Sequence, residues 1–121
     1  QDYLEQVMER RRERLDFEKK QQAPRDITIR VSRAKGFTDF DIYRMANLRF
    51  EFRGGAGVVR STPVQFRGST GVCTAKVPPG DYMLAQPKFN FAAPVNIGKN
   101  EPSRITISIT VTKTGVTLNK R

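Results

Sequence analysis

Gly71-Val72-Cys73-Thr74-Ala75-Lys76-Val77-Pro78-Pro79-Gly80-Asp81-Tyr82-Met83-Leu84 is the stretch that decides the fold. Cys73, Ala75 and Val77 alternate with Thr74 and Lys76, the two-residue period of a half-buried strand. The run stops at two prolines and a glycine. Proline presets φ, and glycine accepts the backbone geometry that reverses a chain. Tyr82 to Gln86 then reads as the return strand. The large amphipathic ring of Tyr82 belongs at a sheet edge. Two strands joined by a stiff polar corner imply a β architecture.

The same period runs outward in both directions. Ile27, Ile29 and Val31 alternate with Thr28, Arg30 and Ser32. Leu48, Phe50 and Phe52 alternate with Arg49, Glu51 and Arg53. Val58 to Arg67 reads as one further strand, with Pro63 marking an edge position or a bulge. Lys88 to Ile97 reads as a looser stretch carrying Phe89 and Phe91. The cleanest strand sets Ile105, Ile107, Ile109 and Val111 against Thr106, Ser108, Thr110 and Thr112, and a tail strand, Val116 to Leu118, follows. Gly54-Gly55-Ala56-Gly57, Gly68-Ser69 and Lys113-Thr114-Gly115 supply turns. Six or seven short strands at this spacing predict a two-layer antiparallel arrangement, an antiparallel Greek-key β-sandwich or a small barrel. The connection Lys35 to Ala46 carries Phe37, Phe40, Ile42, Tyr43 and Met45. It reads as a cap on one end of the sandwich, with a short helical turn, or as a binding loop.

Ahead of the strands the pattern is helical. Residues 2–22 contain no Gly or Pro and are rich in Leu, Met, Glu, Gln, Arg and Lys, which predicts one N-terminal α-helix. Asp2 suits the N-cap, and Pro24 ends the helix because Ala23 before it is pushed out of the α region. Arg12–Asp16, Arg14–Glu18 and Asp16–Lys20 are opposite charges four residues apart. The apolar stripe is thin: Leu4, Val7, Met8 and Leu15, interrupted by Arg11. Such a stripe gains little from packing on its own domain. Three readings stay open: an arm or coiled-coil strand docked on a partner, a charged stalk following a membrane anchor, or a helix packed on the sandwich edge. The chain therefore divides into a charged helix and linker, 1–25, and a β domain, 26–121.

With 121 residues the chain suits one domain. Lys and Arg number 22 against 12 Asp and Glu, a net charge of +10, and nearly all of the excess falls after residue 25. A basic module of this kind meets an acidic protein, a phosphate backbone or an anionic membrane surface, or simply keeps a small domain soluble. There is no His, no Trp and one Cys, Cys73. That removes the His general base, the Ser-His and Cys-His couples, a zinc cluster and an intrachain disulfide. No apolar run of about 18 residues exists, so no transmembrane segment is expected in this chain. The start at Gln1 agrees with a removed leader or anchor, or with an artificial terminus.

Gly71 to Leu84 resembles the carboxypeptidase-regulatory-like and Cna B-type modules of the transthyretin-like fold. In those modules a strand ends in a Pro-x-Gly-x-Tyr turn, here Pro78-Pro79-Gly80-Asp81-Tyr82. The opening strand Asp26 to Ser32, the strand Asn47 to Arg53 and the closing strand Arg104 to Thr112 fit the same pattern, so the resemblance covers about residues 26–112. The short Gly- and Pro-containing link between the first two family strands is replaced here by Lys35–Ala46. The Lys, Asn and acidic residue of the isopeptide bond found in some such modules have no matching positions, and that bond is not expected. The resemblance implies a transthyretin-like sandwich and an extracytoplasmic setting, in the periplasm or at the cell surface.

Candidate chemistry is sparse. Asp39 and Asp41 read as loop or capping residues rather than a catalytic pair. The run Gly54 to Gly57 lacks the Gly-Lys-Ser/Thr ending of a phosphate loop. Cys73, in step with Ala75 and Val77, reads as buried packing. Arg30, Arg49, Arg53, Arg60 and Arg67 stand on polar strand faces. If Arg30, Arg49 and Arg53 share one face, they form a basic stripe able to fork onto carboxylate or phosphate. Phe50 and Phe52 have the opposite parity and face the core, so they are no base-stacking platform. Phe89 and Phe91 are either exposed apolar contacts or plugs for the open end of the sandwich. The expectation is a non-enzymatic structural or interaction module without cofactor or metal. It would be an accessory subunit docking on protein subunits of a larger assembly. Its contacts would be Leu4, Met8 and Leu15 of the helix, Arg30, Arg49 and Arg53, and Phe89 and Phe91. The alternative is a basic accessory protein associated with nucleic acid, and a membrane-anchored neighbour agrees with the stalk reading.

Overall fold

Among the described residues, apolar side chains at alternate positions build nine strands. They are β1 (Arg25–Arg33), β2 (Glu51–Gly54), β3 (Gly57–Arg60), β4 (Gln65–Arg67), β5 (Thr70–Val77), β6 (Gly80–Gln86), β7 (Phe91–Ile97), β8 (Arg104–Thr112) and β9 (Gly115–Lys120). The structure, a computed structural model, describes residues 3–4, 6–12, 23–34, 41–55, 57–89, 91–112 and 115–121. Two sheets form, one of five strands in the order β4-β5-β1-β8-β9 and one of four in the order β3-β2-β6-β7. The chain is a mainly β protein with a β-sandwich and a helical segment in front of it.

Three details differ from the sequence reading. Val58–Arg67 is not one strand: β3 and β4 lie in different sheets, and the chain changes sheet across Ser61–Val64. Pro63 has no N–H for a ladder, which suits a corner where a strand switches sheets. Phe91–Ile97 is a full strand at a sheet edge, where Pro94 is tolerated because an edge leaves one side unpaired. These two differences raise the strand number to nine. Third, the pairing is not antiparallel throughout. β1 runs parallel to β8, from Asp26 beside Arg104 to Arg33 beside Val111. A parallel pair needs a long crossover, and the six intervening strands supply it.

The core lies between the sheets. Ile27, Ile29 and Val31 of β1, Cys73, Ala75 and Val77 of β5, and Ile105, Ile107 and Ile109 of β8 meet Phe50, Phe52, Leu84, Val95 and Ile97. Each fully buried Ile or Phe contributes about 1.5–3 kcal/mol, so this alternation is the main force holding the sheets together. Ile42 and Met45, from a 3-10 turn at Ile42–Met45, join the same core. The long connection therefore caps the sandwich at these two residues. Phe37 and Phe40 lie outside the described residues.

The proline-glycine corner works as its chemistry suggests. Gly80 has φ +157°, where a side chain is strained, and a Cβ there would touch the Tyr82 ring at 3.4 Å. The Tyr82 hydroxyl donates to the Pro78 carbonyl at 2.7 Å. The ring packs edge-on to Phe52, with centroids 6.1 Å apart. One tyrosine thus ties the corner to the core. In front of β1, the described residues 3–4 and 6–12 are helical. The expected helix end at Pro24 falls next to undescribed residues, and Asp2 also lies outside the description.

Candidate functional site

The outer face of β5 is the floor of a groove. The inward parity of Cys73, Ala75 and Val77 turns Val72, Thr74 and Lys76 outward. On one side stands β1, whose outward residues Asp26, Thr28 and Arg30 lie in register with Lys76, Thr74 and Val72. On the other side stand Arg60, the crossing segment Ser61–Val64, and β4. Two adjoining hollows of about 660 and 520 Å³ share Thr28, Thr62, Pro63 and Thr74 and together form this groove.

The crossing segment shapes the groove wall. The Ser61 N–H donates to the Phe50 carbonyl at 2.8 Å, and the Val64 N–H to the Leu48 carbonyl at 2.8 Å. The Thr62 N–H donates to the Thr74 carbonyl at 2.8 Å, on the five-stranded sheet. The Thr62 hydroxyl accepts from the Thr74 N–H at 2.9 Å, so a side chain satisfies the donor that a regular neighbour strand would have taken. The buried Ser61 hydroxyl accepts from the Phe50 N–H at 2.9 Å and donates to the Thr62 carbonyl at 2.8 Å. One short segment thus bonds to both sheets and closes this edge of the sandwich.

Closure brings together cations that the sequence spreads over five places. Arg30 and Arg67 line one half of the groove, and Arg49, Arg60 and Lys76 line the other. Asp26 is the single acid among the lining residues. Arg30, Arg49, Arg67 and Lys76 form no ion pair among the described residues. Arg60 shares the Glu51 carboxylate, at 3.3 Å, with Arg53 at 2.8 Å. The hydrogen bond from Arg53, then that from Arg60, holds the Glu51 carboxyl below its ordinary value, against a partial desolvation.

The expected stripe of Arg30, Arg49 and Arg53 is therefore corrected. Arg30 and Arg49 line the groove, but Arg53 lies on the outer face of the four-stranded sheet, in register with Val58 and Met83. Parity along single strands was right, but which sheet each strand joins was not readable from it. Lys76 was missed, although its outward parity opposite Cys73 and Ala75 was available. Thr62 carried no signal, because its role depends on Thr74.

The other candidates fall into structural roles. Phe89 and Phe91 pack against the core, and Phe91 meets Phe50 edge-on at 6.2 Å between centroids. Both rings are half-buried against the core and partly exposed. Asp41 accepts from the Tyr43 N–H at 3.1 Å and caps the 3-10 turn, while Asp39 lies outside the described residues. Cys73 is 2% exposed, and burial pushes its thiol up to about 11, against a hydrogen bond with Ser61. Such a thiol stays protonated at neutral pH and is a weak nucleophile. On the helix, Tyr3, Leu4 and Met8 are 77%, 67% and 63% exposed, and Leu15 lies outside the described residues. Among the described residues no helix is long and apolar enough to cross a membrane.

No protein-family model matches the chain, and no curated protein does. Among solved structures, a chain described as a "putative cell adhesion protein" from Bacteroides uniformis is similar at 11% identity, with a TM-score of 0.40. The match covers 80% of this chain and 49% of the other, so this chain spans about half of that one.

Proposed function

We propose that the chain is a non-enzymatic interaction module, an accessory subunit that docks on a larger extracytoplasmic protein assembly. The observation that carries this is the groove over β5: five cations converge there with one acid, and four of the five have no ion pair among the described residues. Unneutralised cations on a rigid sheet junction cost solubility nothing and present a field to an acidic surface. The second contact is the helix, whose exposed Leu4 and Met8 belong to the stripe that also includes Leu15. The division into a helix-bearing segment, 1–25, and a sandwich, 26–121, gives each contact its own part. The transthyretin-like reading draws support from the strand order, with the opening strand β1 beside the closing strand β8 and the Pro-Pro-Gly-Asp-Tyr corner leading from one sheet to the other.

The test is the mass of the native particle at low and then high salt, with its companions identified. A protein complex that survives high salt supports the reading. A free monomer at both salt concentrations removes it. Deleting residues 1–22 is expected to leave the sandwich folded and to abolish the complex. A truncated chain without a cooperative unfolding transition would show that the helix is part of the folded domain instead.

A further inference from the structure

The groove's cations form two groups rather than a uniform patch. Arg30 lies in register with Val72, and Arg67 with Thr70, at one end of β5. Lys76 lies at the other end, in register with Asp26, with Arg49 and Arg60 lining the same half. Between the groups the lining is Pro63 and the three hydroxyl side chains of Thr28, Thr62 and Thr74. Val72 to Lys76 is four residues of strand, about 13 Å at the usual rise. No aromatic side chain lines either half.

We propose that this groove binds an extended acidic peptide segment of the docking partner, with two carboxylate side chains four residues apart and small polar residues between them. The proposal rests on the docking function above and names the chemistry of its partner. An extended peptide has the same rise as β5 and turns every second side chain to the same side. Carboxylates at positions i and i+4 therefore reach the Arg30/Arg67 group and the Lys76/Arg49/Arg60 group together. Each guanidinium presents a planar fork to a carboxylate. The three threonine hydroxyls meet polar groups of the intervening residues. Asp26, beside Lys76, disfavours a third carboxylate near that end, so the charge pattern and not total charge is selected. Single-stranded nucleic acid would gain phosphate contacts but no stacking surface, the larger part of its base binding.

The test uses the full chain and three fluorescent probes at low salt, read by anisotropy. The first is a seven-residue peptide with Glu at positions 2 and 6 among Ser and Thr. The second has the same composition with Glu at positions 4 and 5. The third is a short single-stranded oligonucleotide. The spaced peptide is expected to bind about tenfold more tightly than the adjacent one, and Arg30→Glu and Lys76→Glu each to weaken it about tenfold. Arg30→Gln should weaken it in the same direction by less. Lys99→Glu, exposed and outside the groove, should leave it within about twofold. Equal binding of the two peptides, equal loss with Lys99→Glu, or tighter binding of the oligonucleotide overturns the proposal. A native complex that persists when Arg30 and Lys76 are both reversed would keep the docking function and remove the groove from it. A free native monomer whose groove still selects the spaced peptide would do the opposite.

Discussion

The two long edges of the sandwich are closed by different physics. At one edge, Ser61–Val64 bonds through its backbone to Phe50 and Leu48 on one side and Thr74 on the other. At the opposite edge, β7 of one sheet and β9 of the other are joined through a side chain. The Lys120 ammonium donates to the Asn96 carbonyl and to the Glu101 carboxylate. Arg25, only 6% exposed, donates to the carbonyls of Ala23, Lys99 and Glu101 and pins the same loop. Backbone bonds in a buried corner are always present and do not titrate. An ion pair depends on a proton and on salt. The first edge is thus held through backbone bonds, and the groove lies along it.

That contrast requires one shared core, and Ile107 is its first check. Ile107 is fully buried on β8, between Ile29 on β1 and Lys120 on β9 in register. Ile107→Asp would bury an unpaired charge and should cost more than about 4 kcal/mol, enough to remove the cooperative transition. A soluble variant with unchanged melting would turn Ile107 outward and leave no common core for two edges to share.

The next largest effect belongs to the backbone-closed edge. Ser61→Ala strips the buried Phe50 N–H of its side-chain acceptor and should cost about 1–3 kcal/mol by urea unfolding. Tyr82→Phe, at the partly exposed proline-glycine corner, loses one hydroxyl-to-carbonyl bond and should cost about 0.5–1.5 kcal/mol. The order matters more than the sizes. A larger loss at Tyr82 than at Ser61 would mean that the local corner, and not the Ser61–Val64 edge, carries the stronger constraint.

Those two sites also mark what the sequence makes legible. The Tyr82 corner was readable because its pieces lie within five residues: Pro78 and Pro79 set φ, Gly80 turns and Tyr82 reaches back. The strands β1, β5 and β8 were readable because period two is local as well. The Ser61–Val64 crossing was not. Its partners, Leu48, Phe50 and Thr74, are set by which sheet each flanking strand joins, and Pro63 inside Val58–Arg67 fits an edge or a bulge of one strand as well as a change of sheet. Arg49 and Arg60 consequently could be put on polar faces but not beside Lys76. The parallel pairing of β1 with β8 was hidden for the same reason, since alternation is blind to strand direction.

The smallest effect is expected at the ion-paired edge, and its sign follows from Glu101. The hydrogen bond from Lys120 is the largest influence on this carboxyl, followed by an opposing desolvation and then by the Gly98 N–H and the Lys120 and Arg25 charges. Together they hold its pKa below the ordinary glutamate value. A carboxyl with a lowered folded-state pKa adds stability that is complete above the unfolded-state value, about 4.3, and is lost as the pH falls through the folded-state value. Melting temperature should therefore be flat from pH 7 to about 5 and decline below about 4.3, with Glu101 contributing at most about 1 kcal/mol, the range of exposed pairs. Glu101→Gln should flatten part of that decline, and added salt should do the same by screening the pair. Ser61→Ala should lower the whole curve without changing its shape, because the Ser61 hydroxyl takes up no proton in this range and touches no carboxylate. If Ser61→Ala altered the acid limb and Glu101→Gln did not, the two edges would have exchanged roles, and the titrating contact would lie beside the groove.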